Sequence, residues 1–410
     1  MSTAARRPAG QRALQSLNFF MADMQAGVGP FLGVFLLAHG WQSGWIGSVM
    51  SIGGVAGILV TAPAGAWVDS SQHKRWMVAI CGICSMLASG IVLLSQSFWP
   101  VAISQVATAI AGAAIGPAVA GITLGMFRQA GFNRQNGLNQ AWNHAGNAFG
   151  AGLSGLLGWK FGLPAVFGLA VLFGVASVVS VYCIPGKSID NRAARGVRAA
   201  GAGEGAEVSG LSVLFNCKPL LILAACLALF HLGNAAMLPL YGLAVVSARQ
   251  SNPAVFVALT IVVAQATMVL TALVAMRMAE NKGLWLVMLI SFAALPVRGV
   301  IAACVIQSWG VVPVQILDGI GAGLQSVAVP TLVARIMNGT GRVNVGQGAV
   351  MTAQGLGAAL SPALGGWLAQ WNGYGPAFLI LGAFAIGAVV LWTLLGSRDS
   401  DSTELQPELG

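Results

Sequence analysis

Twelve long apolar stretches separated by short polar turns run through this chain, and they leave it few ways to fold. They lie near residues 14–38, 44–68, 76–95, 100–127, 137–159, 163–185, 219–246, 253–276, 284–306, 309–337, 346–370 and 375–396. About 20 predominantly apolar residues cross the hydrocarbon core of a bilayer as a helix, and each stretch reaches or exceeds that length. Only 8% of the residues are charged and the mean hydropathy is +0.80. A soluble domain carries about 25% charged residues. The two-residue alternation of an outer-membrane barrel strand is absent. The pattern predicts an all-α membrane protein with twelve transmembrane helices and a lipid bilayer as its solvent.

The cations set the orientation. An even number of spans places both termini on one side, and that side collects seventeen of the 20 Lys and Arg residues. The opposite loops hold Lys160 and Arg249, and Arg298 falls inside a span. By the positive-inside rule both termini are expected in the cytoplasm. The asymmetry also accounts for the net charge of +9 without a nucleic-acid partner, whose footprint needs basic residues gathered on a soluble face. Arg6, Arg7 and Arg12 precede a full-length apolar run with no evident cleavage site, so 14–38 reads as a retained first helix. The six cysteines suggest no disulfide framework. Cys81 and Cys84 form a CxxC inside the third span, but no second pair completes a metal site, and packing is the simpler account.

The longest polar interval divides the spans six and six. Residues 1–185 are expected to form an N-terminal six-helix bundle, 186–212 a flexible cytoplasmic linker rich in Gly, Ala and charge, and 213–410 a C-terminal bundle with a short tail. The halves echo one another. Arg134-x-Asn136 recurs as Arg342-x-Asn344, Gly158-Trp159 as Gly366-Trp367, and Trp99 and Gln105 as Trp309 and Gln315. Duplicated, pseudo-symmetric six-helix halves mark an alternating-access carrier.

Between the second and third spans the chain reads GAWVDSSQHKR, from Gly65 to Arg75. This stretch resembles the cytoplasmic loop motif of the major facilitator superfamily, and the likeness extends over nearly the whole chain. Gly65, Asp69, Lys74 and Arg75 match the motif, while Gln72 stands where a Gly is usual and Ser70 and His73 replace usual Arg positions. The resemblance implies a latch that stabilises the outward-facing state; the simpler alternative is that Lys74 and Arg75 only enforce topology. It also implies that the first, fourth, seventh and tenth spans line the substrate cavity. On that basis Asn18, Phe19, Gln25, His231, Asn234, Gln315 and Gln325 are candidate lining residues. The fifth span reads GNAFGAGLSGLLG and the eleventh GLGAALSPALGG. Such small residues let helix backbones approach closely.

Only Asp23, Arg298 and Asp318 are fully ionised residues within the spans. A charge left at the centre of a spanning helix costs about 2.5–3.5 kcal/mol on insertion scales, so its retention points to function. Arg298 and Asp318 each lie about ten residues from the turn near Gln307, hence roughly 15 Å deep, on antiparallel spans. They sit at one level and can pair, an arrangement similar to that of the lactose permease branch of the superfamily. The pair is expected to act as a gate or substrate anchor, or else to hold the helix hairpin together. Asp23, in NFFMADMQAG, has no evident partner and is the leading proton carrier, with Asp318 and His231 as further proton-coupling candidates.

No metal-ligand cluster, HExxH, Gly-x-Ser-x-Gly elbow or Walker sequence is present, so an enzyme is not expected, and neither a cofactor nor a metal is called for. The reading is a monomeric, proton-coupled secondary transporter of a bacterial-type inner membrane, exporting a small organic or drug-like molecule. The alternative is proton-linked uptake or export of an anionic metabolite or metal chelator anchored by Arg298. A channel or receptor-like membrane protein is more remote.

Overall fold

The computed structural model describes residues 10–26, 28–190, 217–248, 252–337 and 343–396. Within these, the side chains of residues 23–26, 28, 30, 62, 69, 70, 129, 130, 133, 343 and 344 lie outside the described set. The described residues form thirteen α-helices and two short 3₁₀ turns. In chain order the helices are α1 (Gln11–Ala26), α2 (Val28–Ala38), α3 (Ser43–Ser70), α4 (Lys74–Leu94), α5 (Phe98–Phe161) and α6 (Pro164–Tyr182). They continue with α7 (Lys218–Asn234), α8 (Met237–Ser247), α9 (Pro253–Lys282), α10 (Leu284–Cys304), α11 (Val311–Ile336), α12 (Val343–Asn372) and α13 (Tyr374–Leu395).

Among the described residues nine segments are long and apolar enough to cross a membrane, against the twelve expected. In the first stretch Gly27 lies outside the described residues, so α1 and α2 count separately at 16 and 11 residues; the other two differences have a local cause. The fifth is the second arm of α5, which follows a break at Arg128 (φ 52°, ψ −178°) and carries Asn139, Gln140, Asn143, His144 and Asn147. The eleventh lies in α12, where glycine and glutamine dilute the apolar residues. The described residues of all three regions are helical nonetheless, because backbone hydrogen bonding within a bilayer permits little else. Large exposed side chains, Leu59, Leu94, Leu270 and Leu394 among them, give the molecule an apolar exterior suited to lipid.

The seventh stretch breaks into α7 and α8 around Ala235 and Ala236. Pro239 explains it: its ring lacks the N–H that would reach the Ala235 carbonyl and would crowd that oxygen in a continuous helix. The Ala236 N–H instead donates to Ser361 Oγ of α12 at 2.8 Å. Between α9 and α10 the chain turns through Gly283, whose φ of 82° no β-carbon favours.

Two compact units emerge, one from Met1–His39, Ile52–Gly203 and Pro253–Ala258, the other from Gly40–Ser51, Glu204–Asn252 and Leu259–Gly410. In the first, Leu14, Leu17 and Met21 of α1 pack with Ile115 and Ile122 of α5 and with Val181 and Ile184 at the end of α6. In the second, α7 lies against α12 and α13, and α10 lies against α11 and α13. The opening turns of α3 belong to this second unit and are laced to α12. Ser43 Oγ donates to Gly366 O at 3.0 Å, and Trp367 Nε1 donates to Ser48 Oγ at 3.0 Å.

Candidate functional site

Three helices of the second unit bring their polar side chains to one place. Arg298 rises from the middle of α10 and is 0% exposed. Its Nη1 donates to Asp318 Oδ1 of α11 at 2.8 Å and to Asn234 Oδ1 at the end of α7 at 2.6 Å. The Asp318 side chain keeps 15% of its surface exposed. Seven residues away on both helices, Gln325 Nε2 of α11 donates to Ser291 Oγ of α10 at 2.9 Å, and Ser291 Oγ donates to Gly321 O at 3.0 Å. Two polar cross-links, two turns apart, therefore fix the register of the α10–α11 hairpin. His231 lies one turn before Asn234 on α7, within electrostatic reach of Gln325 and Asp318.

The site is incompletely satisfied. Nε and Nη2 of Arg298, Nε2 of His231 and both amide atoms of Gln315 are buried without a hydrogen-bond partner among the described residues. Buried polar atoms are nearly always paired, so five such atoms on three side chains single this region out.

The candidates of the first unit are placed differently. Asn18 is buried, and its Nδ2 donates to Leu14 O of its own helix at 2.8 Å. Phe19 packs in an aromatic group with Phe20, Trp142, Phe149 and Phe173, at ring separations of 5.2 to 6.4 Å. Asp23 and Gln25 sit on the helical backbone of α1, but their side chains lie outside the described residues.

An amide ladder absent from the sequence-based candidates runs beside them. Gln135, Asn139, Asn143 and Asn147 recur every four residues along the second arm of α5. Gln11 Nε2 of α1 donates to Gln135 Oε1, Gln135 Nε2 to Asn139 Oδ1, and Asn139 Nδ2 to Thr123 Oγ1, each at 2.9 Å. Four amides at helical spacing within one membrane-length stretch were the available signal. Amides lack a readily transferred proton at neutral pH, so the ladder ties α1 to the two arms of α5 rather than conducting protons.

In the loop motif, Lys74 is 2% exposed and its Nζ donates to Val68 O at 2.8 Å and Ser71 O at 3.0 Å. The ammonium thus closes off carbonyls at the C-terminal end of α3, where a cation is favoured. Arg75 Nη1 donates to Ile184 O, two residues past the end of α6, at 2.7 Å. With Gln72, His73, Trp76, Gly186 and Ile189 they border a cavity of about 230 Å³. Gly65 has open space on its β-carbon side, and the Asp69 side chain lies outside the described residues. Lys74→Arg is expected to lower stability by about 1–3 kcal/mol, because a guanidinium does not fit the two carbonyls that hold the ammonium. A fall in the unfolding midpoint in detergent would show it; a purely topological lysine would tolerate the change.

Nine membrane-length apolar helical segments among the described residues and a buried polar cluster inside one helical unit are an architecture shared by membrane transporters. The profile of the Major Facilitator Superfamily matches residues 14–344 and 253–409. Two relatives from Mycobacterium tuberculosis, the uncharacterized MFS-type transporters MT2531 of strain CDC 1551 / Oshkosh and Rv2456c of strain ATCC 25618 / H37Rv, are each 37% identical over 407 residues. Those alignments cover 98% of this chain and 97% of each relative. Among solved structures, the nucleoside transporter NupG superposes with a TM-score of 0.76 at 16% identity, covering 94% of this chain and 98% of that one. A bacterial homolog of the human lysosomal transporter Spinster, in an inward-facing and occupied conformation, gives 0.67 at 14% identity, with 97% of both chains covered. The chain belongs to the major facilitator superfamily.

Proposed function

We propose that this chain is a proton-coupled secondary transporter that exports a small organic molecule across the inner membrane by alternating access. It acts as a monomer of two six-helix bundles with both termini in the cytoplasm. The observation that carries this reading is the Arg298–Asp318 pair, in which a fully buried cation shares one nitrogen between a carboxylate and an amide. Neutralising Asp318 with a proton removes the anion that holds Arg298 and so changes the relative stability of conformations that expose or enclose it. A proton bound in one state and released in another then drives the cycle by linkage. Asp23 is the other carboxyl in a span and remains a candidate proton carrier.

Everted membrane vesicles, acidified inside and reporting through acridine orange, test the proposal. Candidate solutes would include lipophilic cations, organic acids, sugars and nucleosides, the last prompted by the NupG likeness. The expected result is that a transported solute dissipates the pH gradient, and that Asp318→Asn or Asp23→Asn abolishes this while leaving solute exchange without a gradient intact. Gradient-driven flux that survives in both variants would refute proton coupling through these carboxyls.

A further inference from the structure

Arg298 uses only one corner of its guanidinium. Nη1 takes both partners, while Nε and Nη2 have none among the described residues and are closed off from solvent. Those two nitrogens form the side edge of the group, where two N–H bonds point the same way. That edge matches the two oxygens of a carboxylate or phosphate, and the bidentate pairing is among the strongest hydrogen-bonded contacts a protein makes. On α11, one turn before Asp318, stands Gln315, 0% exposed and unpaired at both amide atoms among the described residues. On α7 the Nε2 of His231 is unpaired as well. A merely structural salt bridge has no use for these groups, since a bidentate Arg–Asp contact would satisfy the guanidinium better. The guanidinium edge and the Gln315 amide nitrogen read instead as donors held ready for a further acceptor.

We propose that the substrate carries an oxyanion, and that the Nε/Nη2 edge of Arg298 binds it bidentately with Gln315 as an added donor. This rests on the carrier reading above and narrows its small organic molecule to an acid. Asp318 already neutralises Arg298, so the substrate oxyanion competes with it for the cation. Facing Asp318 are Arg298 from α10 and His231 from α7, with the neutral Asn234 beside them.

Equilibrium binding to the full chain in detergent, followed by tryptophan fluorescence during thermal unfolding, tests this without any proton gradient. The probes are benzoate and phenyl phosphate, with benzamide and benzyltrimethylammonium as neutral and cationic matches. The expected result is that one or both oxyanions raise the unfolding temperature at millimolar concentration and the two matches do not; which of them does so separates carboxylate from phosphate. Arg298→Lys, which keeps the charge but loses the edge, should weaken oxyanion binding roughly thirtyfold or more. Asp318→Asn, which removes the competitor and keeps the edge, should tighten it; this variant and the wild-type probe comparison decide the matter should Arg298→Lys fail to fold. Stabilisation by benzamide equal to that by benzoate, unchanged binding in Arg298→Lys, or no effect of either oxyanion would overturn the proposal. Proton-driven flux with no oxyanion binding would remove the acid alone, whereas oxyanion binding without proton-driven flux would remove the coupling.

Discussion

Replacing Arg298 by Ala is expected to lower stability by about 3–5 kcal/mol, enough to leave much of the purified chain unfolded or aggregated. The loss has two parts. Arg298 is among the largest fully buried side chains, so truncation leaves a cavity among α7, α10 and α11. It also strands the Asp318 carboxylate and the Asn234 side-chain carbonyl, both of which accept from Arg298 Nη1. Charge removal with shape retained should be far milder. The double variant Arg298→Met with Asp318→Leu is therefore expected to recover most of the lost stability, since buried ion pairs exchange for apolar residues of similar volume at little cost. That variant would still move no solute if the pair acts as proposed. Unfolding midpoints of the two variants beside the parent, together with vesicle flux, separate the structural from the functional contribution. A double variant as unstable as Arg298→Ala would mean that packing, not charge, holds the site.

Gly357→Ala should destabilise by about 1–3 kcal/mol, although the same change at Gly348, on the same helix, should be neutral or slightly stabilising. A β-carbon built on Gly357 would overlap the carbonyl oxygen of Ala228 and come within 3.0 Å of the Leu232 nitrogen. Those atoms are backbone of α7 and cannot rotate aside. Gly348, exposed and also on α12, has nothing within 4 Å of that position. The first substitution must push α7 away from α12, and α7 carries His231 and Asn234 into the site. Oxyanion binding should weaken along with stability in Gly357→Ala and stay unchanged in Gly348→Ala. Equal effects at the two glycines would show that the contact does not position α7.

The depth of Arg298 and Asp318 is legible in the sequence, because counting residues back from a short turn locates a position along a helix. That Arg298 also donates to Asn234 is not, although Asn234 stands among the candidate lining residues. The second arm of α5 shows the opposite case: its amide ladder is written in a four-residue repeat that also lowers the apolar average of the stretch. The loop motif points to Lys74 and Arg75 through family resemblance, while their contacts are with backbone carbonyls that no motif specifies. Asn18 and Phe19, drawn from the cavity-lining expectation, are tied into α1 and its aromatic neighbours.

What the sequence determined by itself are properties that follow from position along a line: the apolar runs, the helices they form, and the level at which each charge sits in the bilayer. Tertiary structure alone decided which nitrogen of Arg298 is paired, which glycines touch a neighbouring backbone and which amides meet. Those outcomes depend on the rotation of each helix about its own axis. Successive residues point about 100° apart, so the side chains that meet are chosen by how neighbouring helices pack.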